Sequence, residues 1–355
     1  MKISLLQEGE TIQGVSVPQR YQEMIAEACL ADKLGFYAWG TSEQHFNPPK
    51  FTVSAPEVLY AAIAAQTKDI KLRTMCAVML QWNHPILVAE RTSTLDIVSN
   101  GRAEIATARS NNLVTLEAFG VDPSTTRAQW EDGMEVLIKA FADETLQHEG
   151  PIWSIPPRTI VPRPVQTPHP PIYVSASSVQ THSNAGERGI GVLSFENYFG
   201  FDYLQECIDA YRAGLATHKS SVPRRTEQAG LYVATAFCDT TRARAIDIAR
   251  DVTTSYFKFI IDLYAPLGKK GSYEYLDGRM LRLLDHEGDM DFLVSETPSV
   301  MVGDPDDFIK RIRKLQQMGI DEILLRIDGI PHEDIMRSIE LIGREVMPVI
   351  NGGAK

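Results

Sequence analysis

Apolar and polar positions alternate in blocks along the whole chain, and the period switches between two and 3.6 residues. Residues 3–6 are a short apolar run of strand type. Between 18 and 34, Tyr21, Met24, Ile25 and Ala28 recur on one helical stripe, and Gly35 follows as a stop signal. Residues 36–40 predict a second strand. Ser54-Ala55-Pro56-Glu57 has the form of a capping box with proline in the first turn, which predicts a helix to about residue 67. A third strand (70–80), a third helix (85–99), a fourth strand (103–108) and a helix (127–142) come next. The proline-rich stretch 151–171 reads as loop or extended chain. Further strands are expected at 172–176, 191–195, 231–238 and 322–327, with helices between them. Gly303-Asp304-Pro305-Asp306-Asp307 supplies an N-cap, a first-turn proline and acids that match the helix dipole. Phe308, Ile312, Leu315 and Met318 then share one face, and Ile335, Ile339, Ile342 and Val346 share a face of the last helix.

Several strands are continuously apolar, as in Ile323-Leu324-Leu325, which suits a parallel sheet covered by helices. Eight strand–helix alternations over 355 residues, without a break in composition, predict an α/β fold of the (β/α)8 TIM-barrel type spanning 1–355 as one domain. A doubly wound sheet is the second choice. Residues 263–298 break the rhythm, with Gly268, Gly271, Gly278 and Gly288 among many charges. They precede the last strand, so they are expected over the C-terminal mouth, either as a mobile lid or as a solvated insertion with its own helix.

Net charge is −11, which opposes nonspecific binding to nucleic acid or to an anionic membrane. No apolar run is long enough to span a bilayer, and the first residues turn polar too soon for a secretory leader. Cys29, Cys76, Cys207 and Cys238 are widely spaced and form no Cys-x-x-Cys pair. They are expected as reduced thiols in a cytoplasmic protein. The dinucleotide fingerprint, the phosphate loop, the nucleophile elbow and His-Glu-x-x-His are all missing, so nicotinamide, serine-nucleophile and metal chemistry have no support in the chain.

In a barrel of this kind, chemistry sits at the C-terminal ends of the strands. The second strand empties into Trp39-Gly40-Thr41-Ser42-Glu43-Gln44-His45-Phe46, the third into Gln81-Trp82-Asn83-His84-Pro85, and the fourth into Arg109-Ser110-Asn111. Arg109 with the hydroxyls of Ser177, Ser178 and Thr181 makes a phosphate site, because a guanidinium fork and a helix start both favour an anion. The alternative is that Arg109 pairs with a carboxylate and the serines only cap the helix. His45 and His84 are each either functional or hydrogen-bonded structural histidines.

The same residues resemble the bacterial luciferase-like flavin monooxygenases along nearly the whole chain. Glu43-Gln44-His45-Phe46 is similar to that family's Glu-His-His-Phe segment, His84-Pro85 to its His-Pro step, and residues 95–102 to its Leu-Asp-x-x-Ser-x-Gly-Arg turn; Gly303-Asp304-Pro305 and Val346-Met347-Pro348 are similar too. The resemblance implies a homodimeric barrel that binds reduced FMN from a separate NAD(P)H:flavin reductase, with FAD as an alternative to FMN. It implies reaction with O2 through a flavin hydroperoxide and oxygenation of a small organic substrate. By position, Arg109, Ser177, Ser178 and Thr181 meet the flavin phosphate, with Ser177 standing where the family has Glu. Cys76-Ala77 falls where the family holds a non-prolyl cis peptide under the flavin ring, and 263–298 matches its mobile loop. Gln44 replaces the histidine that is catalytic in light-emitting members; it can orient a ligand but cannot titrate, which leaves His45 as the acid–base candidate. Trp39, Trp82, Asn111, Tyr198 and Phe199 are candidates for the substrate side. Two other readings stay open: a deazaflavin-dependent hydride-transfer enzyme and a non-catalytic flavin-binding subunit.

Overall fold

The computed structural model describes residues 1–110, 112–217, 223, 226–270 and 273–352. Eight parallel strands close into a barrel: β1 (Lys2–Leu6), β2 (Ala38–Ser42), β3 (Lys71–Val78), β4 (Ala103–Ala108), β7 (Ile172–Ala176), β8 (Gly191–Ser194), β9 (Ala229–Val233) and β12 (Glu322–Arg326), with β1 pairing β12 to complete the ring. The remaining strands lie outside it. β5 (Leu146–Glu149) and β6 (Ser154–Arg158) form an antiparallel hairpin, and β10 (Thr235–Cys238) pairs in parallel with β11 (Val300–Gly303). The barrel is the predicted TIM type. The expected seventh strand is in fact two: the ladder with β12 ends at Val233, and the chain beyond Ala234 leaves the ring to pair with β11.

Helices cover the ring, and local signals set their ends. Helix α1 (Val17–Leu34) is capped by Ser16, whose side chain accepts the Gln19 N–H, and it stops at Gly35 in the left-handed region. Helix α2 (Pro56–Ala64) corrects the expected capping box: Ala55 is the N-cap, with no side-chain bond, because Pro56 opens the first turn and leaves Ser54 one residue too far back. Helices α3 (Pro85–Val98), α4 (Leu113–Ala118), α5 (Thr126–Ala142), α6 (Val179–Arg188), α7 (Phe201–Ala216) and α8 (Arg242–Tyr264) follow in chain order. His84 is the N-cap of α3. Its Nδ1 accepts the Ile86 N–H, its ring meets Trp153 edge-on, and burial lowers its pKa, so its role is structural. Asp304 and Asp307 form the full capping box of the helix Pro305–Gln317.

At the N-terminal end of the barrel, Arg73 lies fully buried between Glu104 and Glu322, with Nη1 2.9 Å from Glu322 and Nε 2.7 Å from Glu104. Tyr173 stacks 4.4 Å from the guanidinium. Paired charges of this kind are costly to break, and this end of a barrel serves stability.

The β3 ladder carries one extra residue against both neighbours. Thr41 pairs Thr74 but Ser42 pairs Cys76, and on the other side Thr74 pairs Ile105 while Ala77 pairs Thr107. The expected cis peptide at Cys76–Ala77 is corrected here. That bond is trans, and the cis bonds among the described residues all precede proline. The bulge absorbs the extra residue of β3.

After α8 come the short helical turns Ala265–Lys269, Glu274–Leu276, Arg279–Arg282 and Leu283–His286, and then the helix Met290–Glu296. Leu267, Tyr273, Leu276 and Met280 are buried, so this segment packs onto the body of the barrel. No helix among the described residues is long and apolar enough to cross a membrane.

Candidate active site

One cavity opens at the C-terminal mouth. Strand ends supply its walls: Glu8 after β1, Ser42, Glu43 and Gln44 after β2, Cys76 and Val78 on β3, Ala108, Arg109 and Ser110 after β4, Ser175 and Ser177 at β7, and Phe195, Asn197 and Tyr198 after β8. Tyr264, Tyr273 and Tyr275 come down from the segment above. The loops here hold unusual backbone. Phe46, Ser110, Asn197 and Tyr198 are non-glycine residues with φ between 56° and 64°. Such conformations cost energy and gather where side chains must be aimed.

Arg109, Ser177 and Thr181 meet at one end. The Arg109 guanidinium lies 4.3 Å from the centroid of the Tyr273 ring, and Tyr273 donates to the Ser110 carbonyl at 2.5 Å. The side chain of Tyr275 bonds Ser177, and burial pushes the Tyr275 phenol up to about 12. Ser178 itself does not line the cavity. Its Oγ is the N-cap of α6, accepting the Thr181 N–H at 3.3 Å, and it lies 2.9 Å from the Thr181 hydroxyl. The N-terminus of the ten-residue α6 therefore points its free amides to the same end as Arg109 and Arg127.

Neutral groups, Cys76, Ser175 and Asn197 among them, line the cavity beside the carboxylates of Glu8 and Glu43. Cys76 Sγ lies 3.5 Å from Ser175 Oγ, and burial raises its thiol to about 11, so it stays protonated near neutral pH. Asn197 Nδ2 is buried and has no partner among the described residues. An anionic phosphate at the Arg109 end and a hydrogen-bonding heterocycle edge at Asn197 and Gln44 match this donor set, so the residues present fit a flavin mononucleotide.

The candidates divide as follows. Gln44, Cys76, Arg109, Ser177, Thr181 and Tyr198 line the cavity, and Ser178 supports it through Thr181. Ala77 is buried beside Cys76 without lining it. Trp39 is fully buried, donating from Nε1 to Gln7 at 2.9 Å and meeting Tyr60 edge-on, so it is core and not substrate wall. Trp82 stacks 4.7 Å from Phe119 and donates to Glu43 from behind. Phe199 lines a separate shallow groove with Arg279. Strand alternation explains Trp39: it faces away from the side that Ser42 presents three residues later. Asn111 lies outside the described residues. His45 stands outside the cavity, its Nε2 3.0 Å from Glu43 Oε1 and its ring against Phe46 and Phe119.

Sequence reading assigned no role to Glu8, Glu43, Asn197, Tyr232 or Tyr256. Glu8 had a signal that could have found it, an acid directly after an apolar barrel strand. Glu196 was missed too. Its oxygens accept the Gly200 and Ser299 N–H groups at 3.0 Å each, bracing the Asn197–Tyr198 turn against the end of the overlying segment; burial raises it to about 7. All four cysteines are unpaired, and no group of three or more metal-type ligands exists among the described residues.

Comparisons with known proteins agree with this architecture. The chain is 28% identical over 345 residues to the oxygenase component of flavin-dependent trigonelline monooxygenase from Acinetobacter baylyi, covering 94% of this chain and 91% of that one. It is 26% identical over 343 residues to 5,10-methylenetetrahydromethanopterin reductase of Archaeoglobus fulgidus, covering 93% and 96%. Against an uncharacterised Sinorhizobium fredii protein, 29% identical, the chain spans about half of that relative's length, 52%. The fold superimposes with a TM-score of 0.77 on the FMN complex of the oxygenating constituent of 3,6-diketocamphane monooxygenase from Pseudomonas putida, at 22% identity and 99% coverage of both chains. A family model described as luciferase-like monooxygenase matches residues 1–322. With its barrel closed and its polar side chains gathered at the C-terminal mouth, the chain belongs to the luciferase-like monooxygenase family, a family of oxidoreductases.

Proposed function

We propose that the protein is the oxygenase component of a two-component monooxygenase, taking reduced FMN from a separate NAD(P)H:flavin reductase and using O2 to oxygenate a small organic substrate. The observation that carries this reading is the meeting of Arg109, Ser177, Thr181 and the α6 N-terminus at one end of the cavity. When bound, reduced FMN supplies the electrons that activate O2. Arg109 and the hydroxyls hold the phosphate, and Ser178 keeps Thr181 in place. Gln44 and Asn197 orient the ring by hydrogen bonds. Cys76 offers a neutral, unreactive thiol beside it. Tyr264, Tyr273 and Tyr275 exclude water, and residues 263–298 act as the lid that admits ligands. The reading extends to a homodimeric, cytoplasmic enzyme, in keeping with the family resemblance and the unpaired cysteines.

Rapid mixing of the reduced-FMN complex with oxygenated buffer tests it. Reoxidation of the flavin is expected to be much slower than for free reduced FMN; an unchanged rate overturns the reading. The match to a methanopterin reductase favours a second reading, hydride transfer from a deazaflavin. Tight binding of a deazaflavin with no affinity for reduced FMN establishes that alternative.

A further inference from the structure

Among the described residues, the buried carboxylates use both of their oxygens, with one exception. Glu10 gives Oε1 to Lys50 and Oε2 to Arg326. In Asp328, Oδ1 takes Arg20 and Oδ2 takes the Glu8 and Glu10 N–H groups. Glu27, Glu104, Glu322 and Glu196 are occupied on both oxygens as well. Glu8 differs. Arg326 Nε at 3.1 Å, Tyr256 OH at 3.0 Å and Tyr232 OH at 3.4 Å all converge on its Oε2. Its Oε1 takes no hydrogen bond among the described residues, and the side chain lines the cavity while only 4% of the residue is exposed.

Oε1 is therefore open to the cavity with no protein donor among the described residues, and a ligand that shuts water out of the cavity must supply one or leave the acceptor unpaired at a cost. Arg326 offsets the charge locally, so the vacant oxygen suits a neutral donor better than a cation. Aromatic rings line the same cavity: Phe195 stacks on Tyr232 at 4.5 Å, and Phe51, Tyr256 and Tyr264 are further lining residues. We propose that Glu8 is a specificity-determining residue whose Oε1 accepts the O–H or N–H of a planar aromatic substrate, of the phenol or hydroxy-heteroaromatic class. The inference rests on reading this cavity as the oxygenation chamber. Docked there, the carboxylate orients the ring and draws on its O–H bond, which enriches the ring in electrons.

Calorimetric titration of the full chain, with FMN present, compares p-cresol with 4-methylanisole, the same ring with its donor methylated. The phenol is expected to bind about tenfold or more tightly, the factor for a hydrogen bond to a charged group. Equal affinities overturn the proposal. In Glu8→Gln the amide oxygen must face Arg326, which can only donate, and the NH2 turns to the cavity. The preference is then expected to vanish or reverse in favour of the ether; an unchanged ratio in a folded variant removes Glu8 from the subsite. Should the variant fail to fold, the wild-type pair of ligands still decides. Anaerobic titration of the wild type with reduced FMN separates the two ideas: a phenol preference without flavin affinity leaves this subsite standing and the proposed function overturned.

Discussion

Glu43 stands between His45 and the cavity. The carboxylate lines the chamber, and the imidazole reaches it only from behind, with Nε2 3.0 Å from Oε1. Trp82 Nε1 at 3.3 Å and Asn83 Nδ2 at 3.2 Å hold the same carboxylate. His45 is thus a positioning residue for Glu43. His45→Gln keeps an N–H within reach of Glu43, so product formation is expected to stay within about threefold of wild type. A general base at this position would cost roughly a hundredfold or more. Initial rates in the reductase-coupled reaction distinguish the two.

Arg109→Ala is expected to weaken reduced-FMN binding by about 2 kcal/mol, as expected for loss of a charged hydrogen-bond partner. An anaerobic titration measures it, and unchanged affinity would remove Arg109 from the phosphate site.

Trp39→Phe tests the opposite placement. The variant leaves the Gln7 oxygen without its buried donor. Stability in denaturant is expected to fall by about 1–3 kcal/mol, with flavin affinity unchanged.

Glu196 makes stability depend on pH. Burial raises its folded pKa from 4.5 to about 7, so its contribution is fully present below pH 4.5 and is lost as pH rises through 7. Above that range the loss approaches roughly 3 kcal/mol, from about 1.4 kcal/mol per unit of pKa. Denaturation of wild type and Glu196→Gln at pH 5, 6, 7 and 8 checks this. The wild type is expected to lose stability relative to the variant as pH rises; a constant difference contradicts the assignment.

If residues 263–298 act as a lid, ligands should quieten them. Reduced FMN is expected to slow limited proteolysis at the exposed Leu281 and Leu284 at least severalfold, with cleavage elsewhere as control.

The periodicities of this chain, its proline and acid helix starts and its apolar strands were enough to specify an eight-stranded parallel barrel, because those signals depend on neighbours three or four residues away. They were also enough to bring Arg109, Ser177 and Thr181 to one rim, since a barrel places every strand end there. Which side chains turn inward was settled elsewhere. The extra residue at Met75–Cys76 shifts β3 against both of its partners, and Ala234 leads the chain out of the ring to meet β11. Trp39 went to the core and Ser42 to the cavity by alternation on a curved strand. Glu8 became an open acceptor because Arg326, Tyr232 and Tyr256, more than 200 residues away, all took the same oxygen. Contacts across that separation depend on barrel closure and register, and no local pattern of residues carries them.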